Sequence, residues 1–157
     1  MQRRALLGAA AAGLFMSTAA RAQGFGGDTS GAVSVLMVGG FSLQTSQLAL
    51  QRSRNGRIRE FAELEANEQA AVAAALGAQP GSVPPSQEQA AMLQQLASLS
   101  GRQFDRMYIA GQIQGHQQLL ELNQANAQGG GDNVSRAVAI VSVPAIQTHL
   151  TILAHLR

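Results

Sequence analysis

The stretch FDRMYIAGQIQGHQQLL, Phe104 to Leu120, decides how the chain is read. At 100° per residue, Asp105, Tyr108, Gln112 and His116 fall within roughly 80° of one another on a helix. Ile109, Ile113, Leu119 and Leu120 share or adjoin that sector, whereas Gln103, Arg106, Gln114, Gln117 and Glu121 point elsewhere. The polar stripe therefore faces the core. Burying such groups costs a few kcal/mol each unless partners satisfy them, so the stripe predicts partners on neighbouring elements.

Two further segments carry the same signature. Between Arg57 and Leu76, Ile58, Phe61, Ala62, Val72 and Leu76 form a helical face that takes in Glu65 and Gln69, with Glu68 at its edge. Near the end, Val138, Val141, Ala145, Ile146, Ile152, Leu153 and Leu156 make an apolar stripe that contains His149. His155 points about 120° away from His149 and reads as a surface residue. Asp105 and His116 are separated by about 16 Å along the axis, too far to share an ion. Asp105 and Tyr108 are expected to bond to a neighbouring loop or to arginine side chains.

Two chemistries fit Glu65, Glu68, His116 and His149. Carboxylates and imidazoles projecting inward from facing helices can hold a divalent metal ion such as iron, manganese or zinc. The same groups can instead satisfy one another as a buried polar network that fixes the register of the helices, with Asp105, Tyr108 and Gln112 as its structural stripe. No helix carries the Glu-x-x-His spacing of di-iron bundles, which places the network ahead of the ion.

The organisation of the chain is that of an all-α protein. Helices are expected from Gly31 to Ser53, Arg57 to Leu76, Arg102 to Ala127 and Asn133 to the end, with a short helix opening at Ser86. Gly39-Gly40 invites a bend or a close helix contact, and Asn55-Gly56 is expected to stop the first helix in the left-handed conformation. Ser86 with Gln89, and Ser100 with Gln103, have capping-box spacing. Pro144 is expected to kink the last helix or divide it in two. Four long helices and one short one imply an antiparallel four-helix bundle. Gly129-Gly130-Gly131 lacks the following Lys-Ser or Lys-Thr of a phosphate loop and reads as a linker.

The opening MQRRALLGAAAAGLFMSTAARAQ has a basic start, an apolar run from Ala5 to Met16 and Ala20-Arg21-Ala22 before Gln23. It predicts a signal peptide over residues 1–22, a flexible linker over 23–30 and a bundle domain over 31–157, with the periplasm as destination. Arg3-Arg4 fits a twin-arginine export signal, and also an ordinary secretory signal that carries two arginines. The chain from Gln23 keeps eight arginines against nine acids, a formal charge of −1, so the high pI gives no reason to expect nucleic acid. Arg52, Arg54, Arg57 and Arg59 flank one turn and can touch an anionic membrane surface, although a solvated loop is the ordinary reading of such a run. There is no cysteine, hence no disulfide or thiolate ligand.

The segments QLALQRSRNGRIREFA, LASLSGRQFDRMYIAGQIQGH and VPAIQTHL resemble the exported bacterial Domain of Unknown Function 4142 family, whose members are grouped with ferritin-like bundles and often labelled outer membrane proteins. Phe104, Asp105, Tyr108, His116, Pro144 and His149 match its pattern. Ser42 stands where the family usually has a glutamate, and Glu68-Gln69 where it has an Asp-His pair. The resemblance thus implies a ferritin-like fold and a site reduced to Glu68, His116 and His149, with Glu65 as a possible substitute. No Ser-His-Asp constellation is visible. The expected function is a non-enzymatic structural or stress-related role in the envelope. The alternatives are a metal-binding bundle, which can extend to oxidase or ion-storage activity, and a module that recruits an envelope protein, a membrane surface or a second copy of the chain.

Overall fold

The computed structural model describes residues 30–129 and 132–157, and every regular element among them is a helix. The expected signal peptide and residues 23–29 of the expected linker lie outside the described residues. Helix α1 spans Ser30–Arg52, α2 Gly56–Ala75, α3 Gln87–Ser98, α4 Gly101–Gln128 and α5 Asn133–Leu156. The chain is an all-helical bundle.

Side-chain caps set these limits, though not always the expected ones. At α3 the Ser86 hydroxyl accepts from the Gln89 N–H at 3.2 Å while Gln89 Oε1 accepts from the Ser86 N–H at 3.0 Å, a complete capping box. The second expected box does not form, because Ser100 makes no side-chain cap and Gly101 follows at φ 56°. That left-handed entry replaces the extended-to-helical step on which a box depends. Asn55 and Gly56 do not adopt positive φ either. Asn55 instead begins α2, its side chain accepting from the Arg57 N–H at 3.0 Å. Asp132 caps α5 through the N–H groups of Val134 and Ser135.

Helix α5 runs unbroken through Pro144, correcting the expected division. A proline frees the carbonyl four residues earlier, here that of Ile140, and Ile140 and Pro144 are both exposed. Water can satisfy the freed group on that side. The buried face of α5 also lies further round than expected: Ser135, Ala139, Ser142, Ile146, His149 and Leu153 point inward, while Val141 is 67% exposed.

The long helices are joined so that every packed pair is antiparallel. Ser53, just after α1, meets Asp105 at the start of α4, and Gly31 at the other end of α1 approaches Asn126 near the end of α4. Helix α3 carries the chain back from the end of α2 to the start of α4, so α2 and α4 run the same way on the diagonal. The most extensive packing joins α4 to α5, α1 to α2 and α1 to α4, and the α2–α5 seam is the loosest of the neighbouring long-helix pairs.

The core has three layers. Near the α1–α2 turn, Ala49, Ile58, Phe61, Ala62, Leu96, Phe104, Tyr108, Ile109 and Leu153 form an apolar cluster. At the other end Val35, Val38, Leu76, Leu119 and Ile146 form a second. Between them lie the buried polar groups of the stripe. By length and hydropathy alone, Gly31–Arg52 and Asn133–Leu156 are each able to cross a membrane. The first is largely buried, as a core helix is, whereas only 28% of the apolar window of the second is covered.

Gly39-Gly40 leaves α1 continuous and serves close contact. A Cβ on Gly39 would stand 2.3 Å from the buried Gln69 Oε1, whereas one on Gly111 would meet the flexible Met92 Cε at 2.7 Å. Gly39→Ala is therefore expected to cost about 1–3 kcal/mol by overpacking. Gly111→Ala should be near neutral, since the helix gains about 1 kcal/mol in propensity while Met92 repacks. Urea unfolding of the two variants checks the contrast, which equal destabilisation would contradict.

Candidate metal centre

Helical spacing brings one inward polar group from each of three helices to the same level. Glu65 of α2 and His116 of α4 are fully buried, and His149 of α5 is 4% exposed. Glu65 Oε2 lies 3.1 Å from His116 Nε2 and 3.1 Å from His149 Nδ1, and the two nitrogens are 3.2 Å apart. The three atoms form a nearly equilateral triangle. Phe61 packs against both imidazoles, with ring centroids 6.0 and 5.5 Å away.

What lies behind each atom fixes its protonation. His116 Nδ1 stands 2.7 Å from the Gln112 carbonyl oxygen, which can only accept, so Nδ1 carries a hydrogen and Nε2 is the nitrogen that offers a lone pair inward when the ring binds a cation. His149 Nε2 faces Glu68 Oε2 at 3.4 Å, an arrangement that leaves Nδ1 as the inward lone pair when Glu68 is ionised. Gln69 Nε2 donates to Glu65 Oε1 at 3.0 Å, leaving Oε2 to the centre. Three lone pairs thus converge. They repel unless protons or a cation sit among them.

The charges respond accordingly. Burial alone pushes the Glu65 carboxyl up, but hydrogen bonds and charges from His116 and His149 outweigh it and hold the group at about 2. Burial pulls His149 down, yet Glu65 and Glu68 together raise it above its ordinary value. Glu68 is raised, chiefly by burial and also by the charge of Glu65, against the opposing pull of His149.

The remaining sequence-predicted residues divide by level. Gln112 is fully buried, and its Nε2 lies 3.1 Å from Ser42 O, 2.7 Å from Thr45 Oγ1 and 3.2 Å from Ser46 Oγ, all on α1. The Tyr108 hydroxyl pairs with Ser46 Oγ at 3.0 Å, a helix partner rather than the expected loop or arginine. Burial pushes this phenol upward, against the Ser46 bond. Asp105 is partly buried and accepts from Ser53 in the loop after α1 at 2.7 Å. Glu68 touches the site only through His149, from its solvent side. His155 is exposed and bonds within its own helix.

Thr45 and Ser46 of α1 are the functional groups that sequence reasoning missed, and Ser42 stands out in the sequence only as a replacement for the family's glutamate. Ser42, Thr45 and Ser46 are all buried, and they share helical spacing with Val35, Val38 and Ala49. That spacing is the signal that finds them. Asn123 and Asn126 of α4 are also buried. Ser42 Oγ and Gln112 Oε1 have no protein hydrogen-bond partner, which marks this level as polar beyond what its own residues satisfy.

The pH dependence of chelator-treated protein follows from these shifts. Glu65, depressed, stabilises the fold above pH 4.5, and that stability is lost as pH falls toward 2. His149, raised, stabilises it fully below pH 6.5, and that contribution is lost as pH climbs through the raised value. Raised Glu68 adds to the alkaline decline, beginning above pH 4.5. Melting temperature should therefore fall on both sides, and Glu65→Gln should flatten the acid limb. An unchanged acid limb in that variant would contradict the ion-pair assignment.

The comparisons with known proteins agree with this all-helical chain only at the level of family. No curated protein and no solved structure matches it. Residues 14–156 match the domain of unknown function DUF4142, and the chain therefore belongs to the DUF4142 family.

Proposed function

We propose that the protein is an envelope-located, ferritin-like helical bundle that holds one divalent transition-metal ion at its centre, through Glu65 Oε2, His116 Nε2 and His149 Nδ1. The observation that carries this is the orientation of the three ligand atoms by groups behind them. Metal-binding imidazoles donate their other N–H to a carbonyl or carboxylate, and ligating carboxylates are themselves hydrogen-bonded. Gln112 O and Gln69 supply such hydrogen bonds here, and Glu68 faces His149 Nε2 at 3.4 Å as an ion-pair partner.

The triangle is also the right size. With bonds of about 2.0–2.1 Å, ligand atoms stand about 3.3–3.4 Å apart around a tetrahedral ion and about 2.9 Å apart at adjacent octahedral positions. The observed edges of 3.1, 3.1 and 3.2 Å lie between these values. Two imidazoles and one carboxylate without thiolate suit zinc, iron or manganese.

Binding rather than turnover is the favoured use. Recesses of 560 and 260 Å³ run along the α2–α5 seam and reach Phe61 and Glu68, but neither is lined by the three ligands. Glu68, half-buried at this seam, is suited to receive an incoming cation and then support His149. The ferritin-like assignment draws on the α3 return segment, which gives a bundle with one long crossover. The envelope location draws on the N-terminal sequence.

Elemental analysis of protein purified without chelator tests the site. Near-stoichiometric metal is expected, abolished by His116→Ala or His149→Ala. Glu68→Gln should weaken affinity by about 10–100-fold. Metal at about 100 times Kd should stabilise the fold by about 2.7 kcal/mol, a melting rise on the order of 10 °C. Absence of bound metal, with no melting shift on adding zinc, iron or manganese, would leave the trio as a self-satisfied polar network.

A further inference from the structure

The bundle segregates its arginines. Of the eight in the described residues, Arg52, Arg54, Arg57, Arg59, Arg102, Arg106 and Arg157 lie at one end, and Arg136 lies at the other. They come from three separate parts of the sequence. Antiparallel packing collects them, because the end of α1, the starts of α2 and α4 and the end of α5 share this pole. Arg52 donates to the Leu99 carbonyl ahead of α4, and the Arg59 guanidinium donates to the carbonyl of Leu50. A recess of 430 Å³ brings Arg102, Arg106 and Arg157 together with Asp105, Asn55 and Leu156.

All seven arginines are exposed and outnumber the three acids at this pole, and none makes an ion pair within 4 Å. The ion pairs among the described residues are those of His116 and His149 with Glu65 and of His149 with Glu68. The acids nearest this pole are Glu60, Glu63 and Asp105, and Asp105 is engaged by Ser53. The N-termini of α2 and α4 and the C-termini of α1 and α5 share this pole, so their helix dipoles offset and its positive charge is that of the arginine side chains. A chain that is close to neutral from Gln23 onward therefore carries one strongly positive end.

We propose that this arginine pole docks on an anionic lipid surface, with guanidinium groups on the phosphates. Guanidinium is suited to bidentate contact with phosphate oxygens, and a cluster of this size matches the basic patches that recognise anionic headgroups. Accessible apolar side chains lie between the charges: Leu156 lines the 430 Å³ recess, and Leu64, Ile152 and Leu156 line the 560 Å³ recess beside Arg57 and Glu60. Acyl carbon can rest there. Single-stranded nucleic acid calls for aromatic platforms instead, and the aromatic residues nearest this end, Phe61, Phe104 and Tyr108, are at most 2% exposed.

The test is cosedimentation of the purified protein with vesicles. Binding is expected to phosphatidylcholine vesicles containing phosphatidylglycerol and not to phosphatidylcholine alone, with release in about 1 M salt, where the Debye length is about 3 Å. Each arginine near the surface should be worth about five-fold in partitioning. The combined Arg102→Gln, Arg106→Gln and Arg157→Gln variant should then bind on the order of 100-fold more weakly. Arg54→Gln with Arg57→Gln, at a different turn, should lose about 25-fold, and Arg136→Gln should bind as the parent does. Circular dichroism melts confirm that the variants remain folded. Equal binding to neutral vesicles, binding unaffected by either set of substitutions, or tighter binding to single-stranded RNA than to anionic vesicles would overturn the proposal.

Discussion

A buried carboxylate facing two buried imidazoles is the constraint to which the rest of this bundle answers. Glu65, His116 and His149 are almost wholly removed from water, where an isolated charge would cost far more than any single packing contact returns. Their positions are tolerable because each has partners on both sides. The inward atoms face one another, and the outward atoms meet Gln112, Glu68 and Gln69. Removing one supporting group would therefore leave a buried lone pair or proton uncompensated, so these residues act as a unit rather than as independent contacts.

This layer also dictates where small residues stand. Gly39 lets α1 approach Gln69, the support of Glu65, and Gly115 lets α4 approach Ser42 beside His116. The apolar clusters above and below provide the hydrophobic stabilisation, while the polar layer selects one register among the helices. A one-residue rotation of α4 would carry His116 away from Glu65 and set an apolar or solvent-facing residue in its place.

Much of this was legible because helical periodicity reports burial directly. His116, His149, Glu65 and Gln112 each fall on an apolar stripe in the sequence, and all four are buried. Their convergence at one level is different information, since it depends on the relative heights of helices separated by up to 84 residues. Family resemblance favoured Glu68 over Glu65 because it aligns positions along the chain. The geometry instead places Glu65 among the histidines and Glu68 outside them. The partners of Gln112 on α1 escaped notice for another reason: serine and threonine are small and occur on either face of a helix, so Thr45 and Ser46 carry no signal until Gln112 is seen reaching them, and Ser42 stands out only as a missing family glutamate. The caps failed in the same local way. Asn55 and Gly56 favour a left-handed stop by propensity, but the tight turn uses Asn55 as the start of the next helix.

The looseness of the α2–α5 seam follows from the same chemistry. Where α1 meets α4, hydroxyls, glycines and one glutamine allow close approach, and the interface is extensive. Where α2 meets α5, Glu68 stands opposite His149 and must keep part of its carboxylate near water, because complete burial would drive it further toward the protonated form. A protonated Glu68 would lose the negative charge that favours the charged form of His149. Close packing at this seam and an ionised Glu68 are therefore in conflict. The bundle keeps the carboxylate at the rim and leaves much of α5 uncovered, so the most thinly packed seam between long helices is where Glu68 stands between solvent and His149.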